Sequence, residues 1–227
     1  MRVVSYNLRK HAAAHELEDI ASANDVDALC LQECDTGALP EQVGHLRLVG
    51  ATEKNRLGLA IYVRDDGYEV RSTKVFALRK SMHDRILTPA HERLLAAHIV
   101  DTGSGAETLV GSFHAAPLTA SNSLRRKQIA AAHEGMRSMA EGVPALMVGD
   151  FNYPWFIRGL ERRLDGTGYQ LIRTTEPTYV RYKYFTGYFD FVTATGFVID
   201  RVDVLPAGVS DHRAISLKAH LAEAAAA

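Results

Sequence analysis

The chain has 227 residues, of which 47% are hydrophobic, and its formal net charge at pH 7 is -1. This length fits one domain with a sizeable core, and we expect a single domain over residues 1–221 followed by an Ala-rich tail, 222–227. The charge excludes a global basic field that would hold the protein on nucleic acid. No stretch approaches the roughly 18 apolar residues of a membrane span. We therefore expect a cytoplasmic protein without membrane insertion. We also expect a monomer, for which the sequence carries no separate signal.

Apolar runs and turn signals predict the elements of the chain. Strands are predicted over residues 2–6, 28–32, 57–64, 68–76, 94–100, 108–113, 145–148, 189–193, 198–204 and 214–217, and helices over residues 15–23, 122–139 and 155–164. Turns at residues 65–67 and 103–105 join two pairs of these strands, and Ser121 or Asn122 can cap the second helix. Paired strands interrupted by single helices predict two sheets packed face to face with helices outside.

The two cysteines indicate a reducing compartment. Cys30 lies inside an apolar run, and Cys34 follows it by four residues. This spacing and burial predict two free thiols and no disulfide framework.

The segment around Asp150 carries the first polar pair of interest. An apolar run ends at Gly149, and Asp150 and Asn152 follow it with Phe151 between them. If the strand continues, Asp150 and Asn152 project to one side and Phe151 faces a core, because side chains alternate along a strand. Such a pair can hold a phosphate, a metal ion or an attacking water. A turn with an Asx cap is the alternative interpretation.

Six further polar groups are candidates for the same site, and most of them follow strand-like apolar runs. Each has a local explanation when taken alone, as a polar strand end, a satisfied core histidine or a turn. Their recurrence at strand ends favours one shared site. The residues are Asn7, Glu33, His114, Asp190, Asp211 and His212.

Taken together, these motifs resemble those of the endonuclease/exonuclease/phosphatase (deoxyribonuclease I-like) superfamily. The resemblance runs from Asn7 to His212, almost the whole chain. It implies a four-layered α/β sandwich, in which two mixed β-sheets pack face to face with helices outside and the site lies at one open end. The motifs that carry it are Ser5-Tyr6-Asn7, Leu31-Gln32-Glu33, Phe113-His114, Gly149-Asp150-Phe151-Asn152, Phe189-Asp190-Phe191 and Ser210-Asp211-His212.

The resemblance implies a phosphoric ester hydrolase that depends on Mg²⁺ or Mn²⁺. Glu33 would be the principal ligand of the ion, with Asn7 and Asp211 near the same ion or its waters. A hard divalent cation prefers such oxygen ligands and retains waters for the phosphate of the substrate.

The resemblance also implies the catalytic groups. Asp150 would orient or deprotonate the attacking water, and Asn152 would hydrogen-bond the phosphate or the same water. His212 would contact a phosphate oxygen or transfer a proton, with Asp190 fixing its tautomer. His114 occupies a position where deoxyribonuclease-like members keep a histidine. The sequence leaves open which of Asp150, His114 and His212 is the base and which is the acid.

One position departs from the DNA-repair members of the superfamily. Many of them have an acidic residue two positions after the first asparagine, and this chain has Arg9 there. A second metal ion is therefore less favoured, and Arg9 or the neighbouring Lys10 is expected to contact phosphate. The other expected substrate contacts are Arg93, Trp155, Arg181 and Lys183.

The substrate class remains open at this point. The segments around Trp155 and Arg181 mix aromatic and basic residues, which can stack bases and hold the phosphates of a strand. We therefore expect a nuclease acting on nucleic acid. A phosphatase or phosphodiesterase acting on phosphoinositide, sphingomyelin or a small phosphoester is the alternative. A catalytically silent binding module is disfavoured, because clustered carboxylates are costly without a cation.

Overall fold

A computed structural model describes residues 1–82, 91–181 and 185–223 of the chain. Its strands are β1 (Arg2–Asn7), β2 (Ala28–Cys34), β3 (Gln42–Val43), β4 (Leu46–Ala51), β5 (Gly58–Arg64), β6 (Tyr68–Ala77), β7 (Glu92–Asp101), β8 (Glu107–His114), β9 (Ala145–Asp150), β10 (Gln170–Ile172), β11 (Tyr179–Arg181), β12 (Phe185–Gly187), β13 (Asp190–Thr195), β14 (Phe197–Val204) and β15 (Ile215–Leu221). The α-helices of the described ranges are α1 (Leu17–Asn24), α2 (Asn122–Arg137) and α3 (Ile157–Leu164).

Most strands belong to two mixed sheets. Sheet A has the order β14-β15-β1-β2-β5-β4-β3, and sheet B has the order β10-β13-β9-β8-β7-β6. Each sheet contains a parallel pair, β1 with β2 in sheet A and β8 with β9 in sheet B. The strands that flank these pairs run antiparallel to them. The carboxyl ends of the two parallel strands therefore meet at one edge of each sheet.

Three apolar clusters separate four layers. The cluster between the sheets includes Val3, Ile61 and Val148. A second cluster joins α1 to the outer face of sheet A, and a third joins α2 and α3 to the outer face of sheet B. The four-layered α/β sandwich implied by the resemblance is confirmed.

The central strands read as continuous apolar runs because both of their faces are buried. Val3 and Val4 are neighbours on β1, yet Val3 packs between the sheets and Val4 packs against the α1 layer. This alternation follows from the two-residue period of a strand. Cys30 and Cys34 of β2 are both buried and free, as predicted.

The expected pairing of β5 with β6 is wrong. The turn at residues 65–67 exists, but β5 pairs with β2 and β4 in sheet A, whereas β6 pairs with β7 in sheet B. The chain therefore changes sheets at this turn. A local turn signal does not specify which sheet the following strand joins. The predicted pairing of β7 with β8 is confirmed.

The helix boundaries are close to prediction. Ser121 caps α2, since its side chain accepts the Leu124 N–H at 3.2 Å. α3 begins two residues later than predicted, because Phe156 adopts a left-handed conformation with φ of 63°. None of the described helices is long and apolar enough to cross a membrane. Most of the predicted Ala-rich tail, residues 224–227, lies outside the described residues.

Candidate active site

Four of the predicted site residues end the parallel strands. Asn7, His114 and Asp150 are the last residues of β1, β8 and β9, and Glu33 is the last but one of β2. Parallel strands place their carboxyl ends on the same edge, so each sheet contributes two of these side chains. Stacking of the two sheets then brings Asn7 to Asp150, 143 residues further along the chain.

The antiparallel neighbours contribute from their amino ends. Asp190 begins β13 and lies opposite Asp150 in the ladder. His212 precedes β15 and is held by Ser210, whose hydroxyl donates to the Asn7 carbonyl at 2.7 Å and accepts the His212 N–H at 3.1 Å. One serine therefore fixes the His212 segment against the end of β1.

Glu33 is presented by an irregular backbone. The pairing of β2 with β5 shifts register beside it, and Glu33 has a φ of 55°. The Lys10 N–H donates to its Oε2 at 3.0 Å, and Arg9, Lys10 and His11 also have positive φ. Left-handed conformations cost free energy in residues with a side chain, and bulges re-aim side chains near functional sites. The concentration of such residues around Glu33 is therefore consistent with a functional role.

Gly149 allows β8 and β9 to meet closely below the site. Its φ is 145°, and a Cβ at this position would collide with the backbone of Phe113. Glycine is therefore required here. The close approach sets Asp150 directly beside His114 in the ladder.

Four side chains converge on one oxygen, Oδ2 of Asp150. The amide nitrogens of Asn7 and Asn152 each lie 3.2 Å from it. Nε2 of His114 lies at 3.6 Å and Nε2 of His212 at 3.7 Å. Asp150 is 2% exposed, so these groups replace the water that a carboxylate would otherwise bind.

Asn152 reaches Asp150 by a different route from the one predicted. β9 ends at Asp150, and Asn152 has a φ of 48°, so the pair is not brought together by strand alternation. The Asn152 N–H donates to Oδ1 of Asp150 at 2.8 Å, which is the Asx-type turn considered as the alternative. Phe151 is fully buried in a core, as expected.

The buried carboxylates and the imidazole shift one another's pKa values. Burial raises the pKa of Asp150 to about 7, with His212 opposing this rise and Asp190 adding to it. Burial lowers the pKa of His212, but the negative charges of Asp190 and Asp150 outweigh it and raise the pKa to about 9. Near neutral pH the site thus holds a carboxyl group close to its titration point beside a protonated imidazole.

His212 is oriented by Asp190. Its Nδ1 lies 2.9 Å from Oδ2 of Asp190, and a carboxylate only accepts, so Nδ1 carries the hydrogen. Asp190 is itself positioned by Thr178, a fully buried residue whose hydroxyl oxygen accepts the N–H groups of Phe189 and Asp190, both at 3.1 Å. The Tyr179 ring meets His212 edge-on, with centroids 4.8 Å apart.

These groups lie at the base of a cleft of about 640 Å³. Three predicted substrate contacts, Arg9, Arg93 and Arg181, are in its wall. Arg93 is nearly buried, and its guanidinium donates to the carbonyls of His114 and Ala115, so it also holds that loop. Trp155 lies outside the wall, and Lys183 lies outside the described residues.

The side chains of the cleft offer mainly oxygen atoms as possible metal ligands. Glu33 and Asp211 both line it, and Asp211 lies 3.9 Å from the Arg9 guanidinium. Asn7 is buried behind them, with its amide oxygen accepting the Arg9 N–H at 3.0 Å. A second group, formed by Asp150, Asp190 and His212, has ligand atoms within 4.8 Å of one another.

Sequence reasoning missed two residues that organise the site and one that lines the cleft. Thr178 and Ser210 position it through single hydroxyl groups, and Arg56 lines the cleft. Ser210 is part of the motif Ser210-Asp211-His212, so the sequence could have indicated it. Thr178 lies 12 residues before Asp190, and no local pattern connects the two.

Solved structures share this fold at low sequence identity. A mannosyl-6-phosphatase from Bacteroides thetaiotaomicron is 17% identical with a TM-score of 0.76, covering 97% of this chain and 100% of its own. The human Nocturnin catalytic domain with bound sulfate is 16% identical with a TM-score of 0.76, covering 98% and 94%. D. rerio TDP2 complexed with a single-strand DNA product is 13% identical with a TM-score of 0.76, covering 97% and 98%.

Sequence comparison identifies the family of the chain. No curated protein matches the chain. The family model described as Endonuclease/Exonuclease/phosphatase family matches residues 4–212, from the middle of β1 to the histidine that Asp190 orients. The chain therefore belongs to the endonuclease/exonuclease/phosphatase family, whose members are phosphoric ester hydrolases.

Proposed function

We propose that the protein is a divalent-cation-dependent phosphodiesterase that hydrolyses nucleic acid. The observation that carries the proposal is the convergence of two amides and two imidazoles on Oδ2 of Asp150 at the base of the cleft. Phosphoryl transfer needs an aligned nucleophile and hydrogen-bond donors around the phosphate oxygens. The side chains that meet at Asp150 supply both.

The donor set fits Mg²⁺ or Mn²⁺. Glu33, Asp211 and Asn7 would hold the ion, since they offer carboxylate and amide oxygens and no sulfur. Such an ion, when bound, neutralises charge on the phosphoryl oxygens and the leaving oxygen. The Lys10 N–H restrains Glu33 without cancelling its charge.

Asp150 is the proposed base. A carboxyl group with a pKa of about 7 can accept a proton from water near neutral pH. Asn152 donates to the same carboxylate from within the cleft wall and is placed to orient a water or a phosphate oxygen.

His212 is the proposed donor to the phosphate. Its raised pKa keeps the imidazole protonated, and Asp190 fixes the ring so that Nε2 faces the region around Asp150. His114 approaches the same oxygen from the other sheet and is a second candidate donor. The arrangement separates a basic carboxylate from an acidic imidazole within one hydrogen-bonded cluster.

The cations of the cleft support a polyanionic substrate. Arg9, Lys10, Arg56, Arg93 and Arg181 all line it. Several cations in one groove can contact more than one phosphate, as a nucleic acid strand requires. A structural neighbour, TDP2, is complexed with a single-strand DNA product.

A phosphatase acting on a small phosphate ester is the second candidate. The cleft volume of about 640 Å³ lies within the range of small-molecule sites, and one neighbour is named a mannosyl-6-phosphatase. The two candidates differ in whether the bond cut is a diester or a monoester.

The test is a substrate screen with purified protein in Mg²⁺, Mn²⁺ or chelator. Single-stranded DNA and RNA, plasmid and abasic duplex are compared with phosphoinositides, sphingomyelin and sugar phosphates. We expect cleavage of a nucleic acid in the presence of an ion and none in chelator. Hydrolysis of monoesters alone would replace the nuclease proposal with the phosphatase, and full activity in chelator would exclude the cation.

A further inference from the structure

Two adjacent aromatic side chains project from the protein beside the cleft. Trp155 is 51% exposed and Phe156 is 79% exposed, and we call this pair the aromatic ridge. The other large apolar side chains exposed in the described ranges are aliphatic or methionine residues. Large aromatic side chains usually bury most of their surface. Two consecutive exposed rings therefore indicate a contact surface.

The backbone holds the ridge in this exposed position at a cost. Phe156 precedes α3 with φ of 63° and ψ of 30°, and its side chain caps nothing. A left-handed conformation is unfavourable for a bulky residue, and such outliers persist where the surrounding structure enforces them. Tyr153, buried just before the ridge, anchors the segment by accepting a hydrogen bond from the Arg126 guanidinium at 2.9 Å.

Two cations stand next to the ridge. Arg158 and Arg162 of α3 line a shallow groove of about 440 Å³ together with Pro154 and Phe156. They are four residues apart, so they lie on the same face of the helix. Both are exposed, and neither forms an ion pair with any described residue. The surface therefore combines exposed rings with arginines that can bind anions.

The ridge is close to the reacting groups. Asn152 lines the cleft, and Trp155 follows it by three residues. Three residues of extended chain span at most ~11 Å between Cα atoms. A ligand that occupies the cleft and extends by a few nucleotides would reach the ridge.

We propose that the aromatic ridge, with Arg158 and Arg162, binds the part of a single-stranded nucleic acid that leaves the cleft. This inference rests on the proposed nuclease function. Exposed rings stack on unpaired bases of any sequence, and arginines hold the phosphates between them. A duplex keeps its bases stacked inside, so the ridge selects single strands. An anionic membrane could also contact rings and arginines, but two side chains offer little apolar area for stable insertion.

Trp155 itself reports on the interaction, because it is the only tryptophan of the chain. The wild-type protein in chelator, where no cleavage is expected, is titrated with an unlabelled single-stranded 20-mer. Stacking of a base on Trp155 should quench its emission in parallel with binding measured by anisotropy of a labelled 20-mer. Binding without any change in Trp155 emission would overturn the proposal.

Variants test the two halves of the surface. Phe156→Ser and Trp155→Ala should each weaken binding of the 20-mer roughly tenfold, the scale of one stacked base. Arg158→Ala with Arg162→Ala should flatten the log–log salt dependence by roughly 1.4, since each phosphate contact on a single strand contributes about 0.7. Val198→Ser and Arg201→Ala, exposed residues of β14 away from the cleft, are the matched controls and should change neither quantity.

The outcomes separate this inference from the proposed function. If the wild-type protein cleaves the 20-mer and the ridge variants bind and cleave it equally well, the ridge proposal fails and the nuclease proposal stands. If no nucleic acid is cleaved with either ion, the nuclease proposal fails. The titrations alone then show whether the ridge binds single strands. Loss of binding to phosphatidylserine vesicles in the ridge variants, with unchanged binding of the 20-mer, would assign the surface to membranes instead.

Discussion

The two sheets present carboxylates of opposite character at the same end of the molecule. Glu33 and Asp211 approach from the sheet A side and line the cleft, among the basic side chains of Arg9 and Lys10. Asp150 and Asp190 end and begin strands of sheet B and are each 2% exposed. The accessible pair suits a cation, whereas the buried pair is satisfied by amides, imidazoles and backbone groups.

Similar strand geometry thus yields two kinds of carboxylate environment. Both sheets end a parallel pair at the cleft, but sheet A does so with a bulge and several left-handed residues around Glu33. Sheet B keeps its register up to Asp150, and the carboxylate of this residue meets Asn7 of sheet A. The carboxylate beside the register shift is partly exposed, whereas the carboxylate at the end of the unbroken ladders is buried.

The largest effect is expected from the accessible carboxylate of sheet A. Glu33→Gln keeps the shape of the side chain but removes its charge, so it should abolish binding of Mn²⁺ and lower turnover roughly 10³-fold, because metal stabilisation of the transition state is worth several kcal/mol. Calorimetric titration with Mn²⁺ and steady-state kinetics check this. Glu53→Gln, at an exposed position, is the control. Unchanged Mn²⁺ affinity in the Glu33 variant would end the assignment of the cation to sheet A.

The buried cluster should respond as a unit. Asp190→Asn and His212→Ala should each lower turnover on the order of 10²-fold, and the double variant should lose far less than the product, because Asp190 acts through His212. Asp200 and His220 form a pair with the same 2.9 Å separation on the surface, and their substitution should leave turnover unchanged. A double variant whose loss equals the product of the single losses would show that the two groups act independently.

The protein should lose stability in acid because a histidine is buried on the outer side of sheet B. His133 of α2 is buried, stacks on Tyr169 with centroids 3.7 Å apart and bonds Thr193 at 2.8 Å. Burial, and then Arg137, lower the pKa of His133 to about 3. The unfolded chain binds a proton near pH 6.5 and the folded protein does not, so this stability is present above pH 6.5 and lost as the pH falls towards 3.

Urea unfolding at pH 7 and pH 5 measures this loss. His133 should account for about 2 kcal/mol between these values, since the folded and unfolded states differ by one proton over roughly 1.5 pH units. His133→Gln should remove most of that pH dependence, whereas His220→Gln, on an exposed edge, should retain it. If the unfolding free energies of wild type and His133→Gln fall equally between pH 7 and pH 5, His133 is not the source of the acid sensitivity.

The smallest effect is expected from Thr178. Thr178→Val removes the acceptor for two buried N–H groups and loosens Asp190, so turnover should fall about tenfold, or roughly 1.4 kcal/mol. Thr178→Ser restores the hydroxyl and should restore turnover. The pH profile of turnover is the second readout. A loosened Asp190 raises the pKa of His212 less, so the high-pH limb of the profile, where His212 loses its proton, should shift to lower pH. If Val and Ser variants share the wild-type profile, Thr178 has only a structural role.

The sequence alone determined the strands that are apolar throughout and the polar residues that end them. Strands buried on both faces need continuous apolar runs, and a polar residue can follow only where the strand leaves the core. For that reason Asn7, His114 and Asp150 were found at strand ends. The family motifs then implied the four-layered sandwich, which the structure confirms.

Short or half-exposed strands lacked this signal. β4 is partly exposed and irregular in its pairing, and β10, β11 and β12 have three residues each. Their pairing depends on neighbours distant in the chain. The sheet change between β5 and β6 was missed for the same reason, because a turn signal is local.

Which side chains meet depends on how the elements pack in three dimensions. Asn7 contacts Asp150 across 143 residues of sequence. Thr178, in the segment before β11, accepts the N–H of Asp190 at the start of β13. The left-handed conformation of Phe156 likewise delays the start of α3, which the sequence predicted at residue 155. Residue type sets what each group can do, but burial and partners fix its pKa and orientation. Those depend on how the two sheets stack, which no local pattern encodes.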